Sequence, residues 1–103
     1  MEQQGRLTIL VKSDQYFDFV DKLAQAAFQK KRTVKIHMMG AGVALLWADP
    51  FARLIEVAQV SICRDSFDQF RGKKWLTIPE SVTVVPPQKI SEIIQWGDRS
   101  VVF

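Results

Sequence analysis

Five short runs rich in β-branched and other apolar residues recur along the chain: Leu7–Val11 (LTILV), Thr33–Met39 (TVKIHMM), Val57–Cys63 (VAQVSIC), Val82–Val85 (VTVV) and Ser100–Phe103 (SVVF). The segments between them carry helical periodicity or turn residues. This alternation constrains the fold more than any other feature. Strand, helix, strand in succession builds a βαβ unit, whose crossover is right-handed and whose strands run parallel. The pattern therefore predicts a three-layer α/β domain with a mostly parallel sheet of about five strands. With 103 residues, 48% of them hydrophobic, the chain reads as a single domain over 1–103, so an active site must be built on one core or shared between subunits.

The connecting segments can be read in more detail. Tyr16, Phe19, Val20, Leu23, Ala24 and Ala27 recur at three- and four-residue steps, which predicts one inward helix face with Asp18, Asp21, Lys22 and Gln25 outward. Ser13 or Asp14 is placed to cap that helix, and Lys30, Lys31 and Arg32 match its dipole at the far end. Gly40 and Gly42 open a tight connection into the apolar Val43–Trp47. Pro50 suits the first turn of a helix over Phe51–Glu56. Arg64 to Arg71 carries Phe67 and Phe70 before Gly72 stops it, and Lys73 to Ile78 fits a loop or a short helix equally well. Pro87 suits the start of a closing helix with Ile90, Ile93 and Ile94 inward, ended by Gly97.

Composition excludes several kinds of chemistry. The polar N-terminus has no apolar signal region and no run approaches the roughly 20 apolar residues of a membrane span, so the reading is a cytoplasmic protein without membrane contact. One cysteine permits no internal disulfide framework and fits a reducing compartment, and Cys63 and His37 do not form metal-ligand spacing. A net charge of +3 and a pI near 9.2 are modest for a protein that neutralises phosphates. The clusters Lys30, Lys31, Arg32, Lys35 and Arg71, Lys73, Lys74 read as solvated faces, with no direct nucleic-acid binding expected. There is no dithiol pair and no P-loop, and the GAG at Gly40–Gly42 follows the second strand, where a nicotinamide fingerprint would follow the first. No metal and no organic cofactor is expected.

If the first three strands are neighbours, their carboxyl-end loops, Lys12–Gln15, Met39–Val43 and Cys63–Asp65, meet at one rim. Cys63 in SICRDS then ends a strand directly ahead of a helix, where unpaired backbone amides and Arg64 favour a thiolate. The alternative is a small hydrophobe finishing a core strand. Asp14 and Asp65 can orient the rim or cap helices, and His37 reads as a structural residue in preference to a base for Cys63. Trp47, Phe67, Phe70, Trp75 and Trp96 are a large aromatic supply for so short a chain. Some are expected at an interface between subunits.

Taken together, the glycine loop MMGAGVALL, the VSIC strand with its following helix, and the ending ISEIIQWGDRSVVF give a chain that resembles the DsrE/DsrF-like family, small sulfur-relay proteins related to the tRNA 2-thiouridine sulfur-relay subunits. The resemblance runs over nearly the whole chain. It implies a flavodoxin-like subunit of a homo-oligomer in which Cys63 accepts sulfane sulfur as a persulfide from a donor protein and passes it to an acceptor protein. Arg64 and Asp65, with the loop glycines Gly40 and Gly42 and with Ser13 and Asp14 of the loop after the first strand, would then line the site. The second expectation is a noncatalytic oligomeric subunit of the same fold with an inert Cys63. Enzymatic turnover is left open between the two.

Overall fold

The side chains of the first strands divide between an apolar and a polar side, and the architecture follows from that division. The computed structural model describes residues 5–47, 51–71 and 80–103, without the side chains of Trp47, Phe70 and Arg71. Five strands, β1 (Arg6–Val11), β2 (Thr33–Met38), β3 (Gln59–Cys63), β4 (Val82–Val85) and β5 (Arg99–Val102), form one all-parallel sheet in the order β4-β3-β2-β1-β5. Among the described residues four α-helices join them: α1 (Phe17–Gln29), α2 (Phe51–Val57), α3 (Arg64–Arg71) and α4 (Ile90–Trp96). A 3₁₀ segment, Gly40–Trp47, precedes α2, and a 3₁₀ turn, Pro87–Lys89, leads into α4.

From β1 to β4 the chain steps across the sheet in one direction, so right-handed crossovers put α1, α2 and α3 on one face. The return from β4 to β5 crosses the whole sheet and puts α4 on the other. The result is the expected three-layer, flavodoxin-like α/β fold, with strand order 4-3-2-1-5 in place of flavodoxin's 2-1-3-4-5.

The core lies on the α1 side. Leu7, Ile9 and Val11 of β1, Val34, Ile36 and Met38 of β2, and Val60 and Ile62 of β3 pack with Val20, Ala24 and Ala27 of α1, with Val43, Leu45 and Leu46, and with Phe51 and Leu54. Strand alternation sends Thr8, Lys35, His37, Gln59, Ser61 and Thr83 to the opposite face. There α4 is a thin cover with no fully buried residue. Thr8, itself buried, donates its hydroxyl to the Ile93 carbonyl at 3.1 Å, and the Trp96 ring sits under Lys35 Nζ at 4.5 Å and beside the Arg6 guanidinium at 5.5 Å.

Several local expectations are corrected. On α1 the buried stripe is the small-residue line Val20, Ala24, Ala27, while Tyr16 and Phe19 are exposed, Phe19 by 62%. Asp21, expected outward, is buried because α2 packs over that side of α1. Its carboxylate accepts from Arg53 Nη2 at 2.6 Å and from Gln25 Nε2 at 3.4 Å. Neither Ser13 nor Asp14 caps α1: the helix begins at Phe17 behind Tyr16, and Ser13 Oγ instead accepts from the Gln15 amide at 3.1 Å. The helix closes at its other end with Lys31 in the left-handed region, φ 62°, its amide and that of Arg32 returning to Phe28 and Ala27 carbonyls.

The bond from Ala58 N to Leu54 O extends α2's helical hydrogen bonding, so β3 starts at Gln59, two residues later than its apolar run suggested. On α4, Ile94 faces solvent. Phe67 is half-buried against the core, whereas the Trp47 and Phe70 side chains, Pro50, Gly72, Trp75 and the stretch 73–78 lie outside the described residues.

The loop after β2 owes its shape to two glycines. Gly40 takes φ +55°, and Gly42 lies so close to β1 that an added Cβ would run into the Val11 carbonyl. The Met39 amide also donates to that carbonyl at 2.9 Å, so the loop cannot retreat without losing the bond. Gly42→Ala is expected to lower unfolding stability by about 2–3 kcal/mol, read as a fall in the urea midpoint at unchanged slope. A midpoint equal to the parent's would show that the loop yields freely.

Candidate functional site

Because every strand is parallel, the carboxyl ends of β1, β2 and β3 share one rim, and the three loops singled out in the sequence are neighbours there. Backbone bonds stitch the rim: Lys12 N to Phe103 O at 2.7 Å, Met39 N to Val11 O at 2.9 Å, and Gly42 N to Met39 O at 3.0 Å. Cys63 is the last residue of β3, and Arg64 opens α3 with no residue between them. The thiol is free and its residue is 5% exposed.

The expected site residues are distributed unevenly around that thiol. Arg64 and Asp65 project into solvent at the first turn of α3. Gly40 is joined to the same turn, since its amide donates to Ser66 Oγ at 2.7 Å, and Ser66 is buried. Ser13 and Asp14 follow β1, two strand spacings or about 10 Å across the sheet from the end of β3. Ser13 is committed to its own turn and Asp14 is exposed. The structure thus groups Cys63, Arg64, Asp65, Ser66 and Gly40, with Ser13 and Asp14 farther along the rim.

Two features escaped the sequence reading. Ser66 lies within SICRDS, but only the folded loop shows that its hydroxyl ties the second rim loop to the third. The other is a buried polar pair on the α4 face. His37 and Ser61 are register partners on β2 and β3, and His37 Nδ1 lies 2.8 Å from Ser61 Oγ. The imidazole is completely buried and its Nε2 has no hydrogen-bond partner among the described residues. Alternation in β3 puts Cys63 on the same face as Ser61, one pleat nearer the rim. The signal was the period-two polar sequence Lys35-x-His37 beside Gln59-x-Ser61-x-Cys63, legible once the two strands are known to be paired.

Burial holds the His37 pKa below its ordinary value of 6.5, because the surrounding protein cannot solvate an imidazolium. Among the described residues no group of three or more His, Cys, Asp or Glu side chains converges to hold a metal ion. Nor is any helix among them long and apolar enough to cross a membrane.

The depressed His37 pKa has a consequence for stability. The unfolded chain takes up a proton at His37 as pH falls below 6.5, whereas the folded chain does not until its lower pKa is reached. Stability from this group is therefore fully present above pH 6.5 and is lost as pH falls through the window beneath it. Urea midpoints measured downward from about pH 7.5 are expected to drop in the parent, and to drop less over that window in His37→Gln. Identical pH profiles would contradict the burial of a neutral imidazole.

Comparison with known proteins bears on the fold. No protein-family model matches the sequence, and no curated protein is significantly similar to it. Among solved structures, the chain resembles the crystal structure of the YchN protein from E. coli with a TM-score of 0.75, at 14% sequence identity, over 98% of this chain and 100% of that one. The folded chain is thus an α/β protein similar in architecture to YchN.

Proposed function

We propose that this chain is a small sulfur carrier that accepts and passes on sulfane sulfur as a persulfide on Cys63. The observation that carries the reading is the position of Cys63, at the carboxyl end of β3 and immediately ahead of α3, in a fold similar to that of YchN and a sequence that resembles the DsrE/DsrF-like family. In the first step the Cys63 thiolate attacks the outer sulfur of a donor persulfide, R–S–S–H. The donor's sulfur–sulfur bond breaks, R–S⁻ leaves, and Cys63 becomes the persulfide. In the second step an acceptor nucleophile attacks the outer sulfur and Cys63 departs as a thiolate. No electrons are gained or lost overall. The free amides of α3's first turn and the exposed Arg64 guanidinium favour the anion at both stages, and Asp65 and Gly40 border the approach.

The donor and acceptor in this reading are other proteins of a sulfur relay in a reducing, cytoplasmic setting. The exposed Tyr16, Phe19, Phe28, Ile94 and Val102 supply apolar surface for a homo-oligomer. Transfer requires the Cys63 rim to open, since the residue is 5% exposed and the Gly40–Ser66 bond lies across the neighbouring loop. That burial favours the second reading, a noncatalytic oligomeric subunit in which Cys63 is a packing residue.

The two are separated by chemistry at one atom. Native protein is exposed to a small persulfide donor and the intact mass is measured, alongside alkylation by iodoacetamide as a function of pH. The carrier reading expects one added sulfur on Cys63, absent in Cys63→Ala, and alkylation without denaturant. Protection from alkylation until unfolding, with no sulfur adduct, would replace it with the scaffold reading.

A further inference from the structure

The α4 side of the sheet carries an open cavity of about 180 Å³, bounded by Lys35, Gln59, Ser61, Thr83, Val85 and Ile93. It exists because α4, only seven residues long, is pinned over β1 by the Thr8–Ile93 bond and does not reach across β3 and β4. A sheet face uncovered by accident would show scattered side chains. Here the register aligns Lys35 with Gln59 and, one pleat on, His37 with Ser61 and Ser61 with Thr83, so the donors form two adjacent rows.

Three properties of the cavity select a ligand. Lys35 forms no ion pair with any carboxylate among the described residues; its ammonium instead lies 4.5 Å from the centroid of Trp96, which holds the cation without neutralising it. Ser61 is oriented from behind by His37. Of the two neutral imidazole tautomers, the one with hydrogen on Nδ1 donates to Ser61 Oγ and leaves Nε2 a bare acceptor, whereas the other buries an unpaired N–H, the costlier arrangement. The Ser61 hydroxyl proton is then free to donate into the cavity. Val85 and Ile93 supply an apolar wall opposite these donors.

We infer that this cavity, on the same sheet face as Cys63 and one pleat from it, binds a small monocarboxylate with an apolar tail. The carboxylate takes the Lys35 ammonium and the hydroxyls of Ser61 and Thr83, and the tail lies against Val85 and Ile93. A phosphate or other dianion fits less well, because among the described residues Lys35 is the one cation that lines the cavity. The volume is below the roughly 300–1,000 Å³ of pockets for drug-sized ligands, which restricts the ligand to a compact acid.

The test is an NMR titration of the native full-length protein with benzoate, with benzamide and inorganic phosphate as parallel arms. Benzoate is expected to shift the amides of Lys35, Gln59, Ser61, Thr83 and Ile93, with benzamide at least about tenfold weaker through loss of the charge-assisted bonds. Phosphate should leave those amides unmoved. Lys35→Gln is expected to weaken benzoate by about tenfold and Thr83→Val by roughly threefold. Should Lys35→Gln not fold, Thr83→Val and the contrast between acid and amide decide the matter. Equal binding of benzoate and benzamide, equal or stronger shifts with phosphate, unchanged affinity in the folded variants, or no shift at these amides would each overturn the assignment.

Discussion

The parallel pairing of β1, β2 and β3, with every large aliphatic residue but Leu10 on one face, is the constraint from which the rest of the molecule follows. Ile9, Ile36 and Ile62 are completely buried on that face, and each such side chain removed from water contributes about 1.5–3 kcal/mol. A slip of one residue between β2 and its neighbours would exchange Ile36 for His37 and turn an imidazole into the core, so the register is fixed by the same burial that stabilises it. Once the first three crossovers lie on the apolar face, handedness leaves only the opposite face for the last one. The small residues of α1 and the buried Asp21–Arg53 pair are adjustments within that packing. They let α1 and α2 lie side by side over three strands.

The opposite face inherits the other half of each strand, and nearly all the reactive chemistry of the chain is there. Thr8, His37 and Cys63 are buried there, while Lys35, Ser61 and Thr83 are offered to a helix too short to cover them and too weakly embedded to bury a residue of its own. The molecule therefore separates stability from chemistry by the pleat of the sheet. Leu54 and Met38 hold the fold together on one side, while a histidine nitrogen and a lysine, both without a polar partner among the described residues, and a free thiol lie on the other or at its rim. A face this polar beneath so thin a cover is costly to maintain, and an unsatisfied buried His37 Nε2 is the sharpest sign of that cost.

Most of the architecture was legible in the sequence because β-branched runs and helical stripes report burial directly. Strand positions, the parallel sheet and the placement of Cys63 at a strand end all follow from such periodicity. The misread details share one cause: periodicity identifies a stripe but not which flank of it a neighbouring helix will cover. Phe19 fits the α1 stripe yet stands in solvent, and Asp21 falls off it yet is buried, because α2 lies on that flank. The capping role given to Ser13 or Asp14 failed for a local reason, since a serine can close its own turn as readily as it can cap a helix. The His37–Ser61 pair and the Ser66–Gly40 bond required strand order and loop geometry, which no single sequence carries.

The unequal division of the two faces is tested most directly by native-state amide hydrogen exchange, which measures the opening free energy of each element separately. The amides of Ile9, Ile36 and Ile62 are expected to exchange only through global unfolding, with strong dependence on denaturant. Those of Ile93, Ile94 and Trp96 in α4 should exchange through local opening, at least about a hundredfold faster and with little denaturant dependence. Protection of the α4 amides equal to that of β2 would contradict the division, and would mean that α4 and the polar face belong to the same cooperative core as the aliphatic one.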